Sequence, residues 1–454
     1  MARWRAATAV CVTLMTASMA AGTAHAAEFT LEDALAMAYA TNPRLEAQRA
    51  QLRATDEDVA KAVSGYRPQI GASGSYGFEK NSIGNVLLPV PNGHPRDVTV
   101  TITQPVFDAR TLLQIRLANA TVRAGRAQLT AVEEAVLLEA ATAYFDVVQD
   151  EANLDFRRQN VQLLQDQLAA VRARFMAGDL TDTDVQQVTA RLAGAQADVT
   201  QTEAKLSASR AAFERAIGRP AETLQTEPKL PQMLPSEQAA IEEAEQRNPQ
   251  VATAREQARV ADVSVDVASS ERLPTLSLQG QYIRGKDEIA RGINEEALSL
   301  IAQLRVPLYQ GGGEYADLRK ARELRTQATD QIESALRDVR DNLHTAWAGE
   351  TAARESLALY EQEVRADQAA YADLQEQLVA GERTVIELLN AAQELLIARV
   401  SLSNARHDYY VNAYRVATSV GRMTATALNL PGPIYDPEQH YNRDAYSALP
   451  RFGD

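Results

Sequence analysis

Two short glycine-centred stretches hold most of the side chains in this sequence that could act on something outside the chain. The first, Arg174 to Gln186, contains Ala177-Gly178-Asp179 and then Asp182, Thr183 and Asp184. The second, Leu378 to Asn390, contains Ala380-Gly381-Glu382 and then Arg383, Glu387 and Asn390. Carboxylates beside a break can cap a helix start, accepting from its free N–H groups and meeting the positive end of its dipole. Arg383 and Glu387 have the i,i+4 spacing of an ordinary pair on a helix face. If several copies of such carboxylates met around an axis, they would repel one another and attract cations.

Other chemistries are poorly supplied. The single cysteine, Cys11, lies in an N-terminal stretch with Arg3 and Arg5, an apolar run and Ala24-His-Ala26, the three parts of a secretory signal. Cleavage after Ala26 would leave no thiol nucleophile, no Cys-ligated metal and no lipoprotein cysteine. His94, His344, His407 and His440 are scattered, and no pair has metal-motif spacing, so no metal and no cofactor is expected. Gly311-Gly-Gly313-Glu-Tyr-Ala316 formally fits a dinucleotide motif, but the strand before it alternates instead of running apolar. With no nucleophile beside the paired carboxylates, an enzyme is not expected. A net charge of −14 argues against nucleic acid.

The two stretches are positioned by a duplicated design. Asn42-Pro43 recurs as Asn248-Pro249, Ala177-Gly178 as Ala380-Gly381, and Gly218-Arg219 as Gly421-Arg422. The reading is a first repeat over 27–218, a proline-rich linker over 219–236, a second repeat over 237–422, and a tail over 423–454. The tail has neither helical nor strand period and is expected to be partly disordered. Each repeat opens with short helices and passes through a strand pair, 69–79 with 97–107 and 275–283 with 297–307. Along these strands apolar and polar residues alternate, as in Val98-Thr-Val-Thr-Ile102 and Leu276-Ser-Leu278. Each repeat then runs into a long heptad-patterned hairpin, 111–217 or 313–421. Leu154, Val161, Leu164, Leu168 and Val171 before the first break are answered by Val185, Val188 and Leu192 after it. Sustained seam spacing on both sides of a tight break predicts paired antiparallel helices.

Four alternating segments of about ten residues match transmembrane barrel strands, but four strands cannot close a barrel. If they lie in a membrane the chain must oligomerise, and a trimer supplies twelve. A soluble periplasmic coiled-coil scaffold, with the strands as a small sheet, is the competing reading.

In this order and duplicated spacing, the residues resemble the TolC family of outer-membrane efflux ducts. The local stretches are Asn42-Pro43, Arg67-Pro68, Gln104-Pro-Val-Phe-Asp108, Pro307-Leu-Tyr-Gln-Gly-Gly312, Arg174 to Gly178 with Thr183 to Gln186, and Gly381-Glu-Arg-Thr384. The resemblance implies a mixed α/β membrane protein. Long coiled-coil hairpins would form a periplasmic tunnel, and four strands per chain would enter a trimeric 12-stranded outer-membrane barrel. It implies a homotrimeric exit duct for a tripartite efflux pump or type I secretion system, in the outer membrane of a Gram-negative bacterium. A periplasmic adaptor and an inner-membrane transporter would be its partners. By position it makes Thr183, Asp184 and Arg383 restraints at the periplasmic constriction and Glu387 an acidic ring. Asn390 stands where a second acidic ring is usual, and Leu378 where some members have tyrosine. Ala177, Gly178, Asp179, Ala380, Gly381 and Glu382 would be the adaptor-docking tips.

Overall fold

The computed structural model describes residues 29–80, 92–287, 292 and 294–446. The expected signal, 1–26, lies outside these residues. Each repeat follows one plan. Helix α1 (Leu31–Thr41) is followed by α2 (Pro43–Ser64), then strand β1 (Gln69–Tyr76) and a two-residue ladder of β2 (Glu79–Lys80) with β3 (Asn92–Gly93). Next come β4 (Arg96–Phe107), the 68-residue helix α3 (Ala109–Met176) and the return helix α4 (Asp182–Ile217). The second repeat gives α5 (Glu237–Arg247), α6 (Pro249–Ser270), β5 (Thr275–Lys286), β6 (Asn294–Arg305), α7 (Gly313–Val379) and α8 (Val385–Val420).

The strands form one antiparallel sheet in the order β1-β4-β5-β6. Compared with the segments read from the sequence, β1 stops at Tyr76, while β5 continues to Lys286 and β6 begins at Asn294. The register sorts its side chains into an apolar and a polar face. Ile70, Ile102, Gly280 and Leu300 lie in one row across the sheet, and Ala72, Val100, Tyr282 and Leu298 in the next. Gly71, Thr101, Gln281 and Ser299 lie across the other face. The apolar face is uncovered, with Ile70, Leu298 and Leu300 all strongly exposed. A sheet of four strands with an apolar outer face and two outer strands, β1 and β6, is unfinished by itself. Among the described residues no helix is long and apolar enough to cross a membrane.

The long helices follow from unbroken heptads without proline, and at 1.5 Å per residue α3 extends about 100 Å. Near the sheet α3 packs on α2 and α6; farther along it packs on α4 and α8. The two hairpins share a seam between α3 and α8, bridged by Gln149 to Asn404 (2.8 Å), Arg399 to Gln159 (3.3 Å) and His407 to Asp146 (2.9 Å).

The hairpin roots are fixed by the duplicated Asn-Pro pairs. Asn42 caps α2 by accepting from Arg44 N, with Pro43 at the first helical position where its missing N–H is harmless. Its amide donates to Ala216 O at 3.1 Å, at the end of α4. Asn248 does the same one repeat later, accepting from Gln250 N and donating to Ser419 O at 2.9 Å. The largest core lies here, around Tyr144, Phe213, Leu31 and Ile217, with the Tyr144 hydroxyl donating to Phe29 O and Gln225 O. Trp347, at the repeat position of Tyr144, packs at the edge of a second cluster around Leu343 and Val251.

The tail departs from the expectation of partial disorder as far as it is described. Residues 423–446 follow a packed course, with Met423, Ala425, Leu430 and Ala445 buried. Backbone N–H groups of Met423 and Ala425 donate to Glu134 and Glu133 on α3. A short helix, α9 (Gln439–Asp444), then lies against α2.

Candidate functional site

Both tips are built the same way. Helix α3 ends in a Schellman turn, in which Gly178 N donates to Phe175 O and Asp179 N to Arg174 O, with Gly178 at φ +87°. Helix α7 ends identically: Gly381 N donates to Leu378 O, Glu382 N to Gln377 O, and Gly381 sits at φ +78°. A β-carbon added at either glycine would meet no atom within 4 Å. Asp179 and Glu382 lie just beyond in exposed turns, and Ala177 and Ala380 are the C-caps.

The return helices begin with matching capping boxes. Thr181 N and Oγ1 donate to the Asp184 carboxylate at 2.9 and 2.7 Å, and Asp184 N donates back to Thr181 Oγ1 at 3.4 Å. Thr384 N and Oγ1 donate to Glu387 at 2.8 and 2.9 Å, and Glu387 N donates to Thr384 Oγ1 at 3.3 Å. These bonds favour the charged forms. The Thr181 N–H, then its hydroxyl, holds the Asp184 carboxyl below its ordinary 3.8. The Thr384 N–H and hydroxyl, and then Arg383, hold Glu387 below 4.5. Both carboxylates are half-buried and remain charged into acid.

The tips differ in their cations. Arg383 donates to Glu387 at 3.2 Å and to Gln377 at 3.1 Å, so its bonds stay within its own hairpin and reach neither Thr183 nor Asp184. Thr183 is exposed in the first turn of α4. Asn390 accepts from Arg191 on α4 at 2.7 Å, tying the start of α8 to the first hairpin. Beneath this bridge Val385 and Leu389 bury against Leu164, Leu168, Val171, Val185 and Val188, with Leu378 half-buried at the edge. The start of the second return helix therefore rests on the first hairpin.

Sequence reasoning missed two further tip residues. Met176 and Val379 stand 84% and 87% exposed immediately before the tip alanines. An apolar residue at the last helical position of both repeats was the available signal. The Arg191 to Asn390 bridge had none, because nothing local marks a pair 199 residues apart.

Residues 34–219 and 240–422 match the family model described as outer membrane efflux protein. Outer membrane efflux protein BepC of Brucella suis is 30% identical over 419 residues, covering 91% of this chain and 90% of its own. Outer membrane protein TolC of Vibrio cholerae is 26% identical over 397 residues, covering 84% and 88%. The crystal structure of the CmeC outer membrane channel of Campylobacter jejuni superposes with a TM-score of 0.76 at 16% identity. That superposition covers 91% of this chain and 89% of the channel.

Proposed function

The chain belongs to the outer membrane efflux protein family, and on that premise we propose how its tips close the duct and what they meet. It is an outer-membrane channel-tunnel, an exit duct for efflux or type I secretion, and not an enzyme. The observation that carries this reading within the chain is the unfinished sheet. Its uncovered apolar face suits lipid, its polar face suits a water-filled lumen, and β1 and β6 each need a neighbour. Three copies in a ring join β6 of one to β1 of the next and close twelve strands. The competing scaffold reading leaves the apolar rows of this sheet without a partner.

In the ring, Asp184, Thr183 and Arg383 act as restraints between neighbouring copies at the periplasmic constriction. Arg383 lies at an exposed tip, already beside a carboxylate, and exchanges Glu387 for Asp184 of the adjacent copy. Three copies of Glu387, kept ionised by Thr384, form a ring that concentrates cations. Asn390 contributes no charge to a second ring and instead braces α8 through Arg191. A periplasmic adaptor engages the tips at Ala177, Gly178, Asp179, Ala380, Gly381 and Glu382, with Met176 and Val379 as apolar anchors. Engagement with the inner-membrane transporter's complex releases the restraints and opens the duct.

Planar-bilayer conductance of the detergent-extracted protein tests this, wild type beside an Asp184→Ala/Arg383→Ser double variant. Severalfold larger openings in the variant support duct and restraints together. Unchanged pores would keep the duct and reject these restraints. A water-soluble product with no pores would return the scaffold reading.

A further inference from the structure

The tail brings together side chains that lie almost 400 residues apart in the sequence. On α2, Asp56 and Glu57 face α9, where His440 and Asp444 share one side of the helix at i,i+4. His440 Nδ1 lies 3.2 Å from Asp56 Oδ2. Its other nitrogen, Nε2, lies 3.6 Å from both Glu57 Oε1 and Asp444 Oδ2. One ligand atom from each of Glu57, His440 and Asp444 fits within a common 4.8 Å.

These distances have a specific chemical meaning. Asp56 is 1% exposed, and its Oδ2 is placed to accept the Nδ1 proton. That fixes the tautomer and leaves the Nε2 lone pair facing two carboxylate oxygens. Three electron-rich atoms facing one another favour a positive centre between them. The 3.6 Å separations are long for hydrogen bonds, but tetrahedral ligands about 2.1 Å from an ion stand about 3.4 Å apart. A buried carboxylate behind the ligating imidazole is the usual support of a histidine–metal bond. Asp444 has such support too, since Arg443 Nε donates to its Oδ2 at 2.7 Å. Asp56 Oδ1 is buried without a hydrogen-bond partner, a further acceptor in this carboxylate-rich corner.

We propose that Glu57, His440 and Asp444 form a divalent-cation site, suited to zinc, in which Asp56 orients His440 and the ion staples α9 to α2. One imidazole with two carboxylates favours zinc over magnesium or calcium, which prefer all-oxygen shells. The fourth position is left to water. The staple joins the end of the described tail to the α2–α3 body, where Val59, Val122 and Ala445 form a small core.

The test is a zinc titration of the full chain, purified in detergent and stripped with chelator, with magnesium as the comparison ion. One zinc per chain is expected, with no competition from magnesium at equal concentration. Glu57→Gln removes a ligand whose side chain is 56% exposed and so should not disturb packing. It should weaken zinc binding at least about tenfold with unchanged melting of the metal-free protein. His440→Gln should abolish the site, and Asp56→Asn should weaken it about 10–100-fold. Zinc should also slow amide exchange across 439–446 in wild type alone. Binding that survives both Glu57→Gln and His440→Gln would overturn the proposal. So would the absence of any zinc binding above that of the His440→Gln protein.

Discussion

The hairpins carry a glycine in the left-handed conformation at each end, and the two ends use it differently. At the roots, Gly421 is pressed on Arg247, whose carbonyl oxygen would lie 2.6 Å from an added β-carbon; at Gly218 the Thr41 hydroxyl would lie 3.0 Å away. At the tips, Gly178 and Gly381 have the same positive φ and empty space around them. One motif thus serves two ends. A root glycine is required by its own chain twice, for backbone conformation and for room. A tip glycine is required once, for conformation, and its other side is open.

The largest effect that separates the two ends is on folding. Gly421→Ala combines left-handed strain with a backbone clash and should cost about 3 kcal/mol. Gly381→Ala carries strain alone and should cost about 1 kcal/mol. Thermal melts of the two variants check this, and equal losses would erase the distinction. In transport the ranking should reverse. Gly381→Ala should impair efflux in cells severalfold while still forming trimers and pores.

Next comes charge at the tip. Asn390→Asp should add an acidic ring and tighten block by a trivalent cation about tenfold. It also exchanges the amide that accepts from Arg191 for a carboxylate, which keeps the bridge. Unaltered block would remove Asn390 from the constriction.

Acid and alkali should address the two ends separately. Asp184 and Glu387 have depressed values, so their capping contribution is present above the ordinary carboxylate range. It is lost only as the pH falls through those depressed values. Trivalent-cation block should therefore persist below pH 4.5. Near the roots, burial pushes Glu134, which holds Met423, up to about 8. The folded state binds the extra proton there, so this contribution falls as pH rises from 4.5 towards about 8 and then levels off. Amide exchange at the start of the tail should quicken over that window while the tips stay unchanged. The smallest effect is expected from Thr181→Ala or Thr384→Ala, each speeding exchange in the first turn of its helix about fivefold through loss of the cap.

Much of this architecture was readable because it is periodic or repeated. The strand faces follow from alternation in residues such as Val98 to Ile102, and the hairpins from heptads ending at Gly178 and Gly381. The helix starts followed from Asp184 standing just past a break. The tail was opaque for a physical reason. It is held by isolated residues, Met423, Ala425, Leu430 and Ala445, and by backbone N–H groups bonded to glutamates on α3. Neither produces a period. The pairing of Arg383 with Glu387 was readable from their spacing, whereas the Arg191 partner of Asn390 was hidden, because the two become neighbours only once the helices are packed.

The two outer strands of the sheet also have a consequence for inheritance. In a cell making equal amounts of normal and altered chains, random mixing would leave about one ring in eight wholly normal. A variant that spoils the β1 or β6 edge drops out before joining a ring, and should behave as recessive. A variant at the tips is incorporated freely and brings its defect into every ring it enters. Dominance in a partial diploid would therefore separate residues that build the duct from residues that operate it.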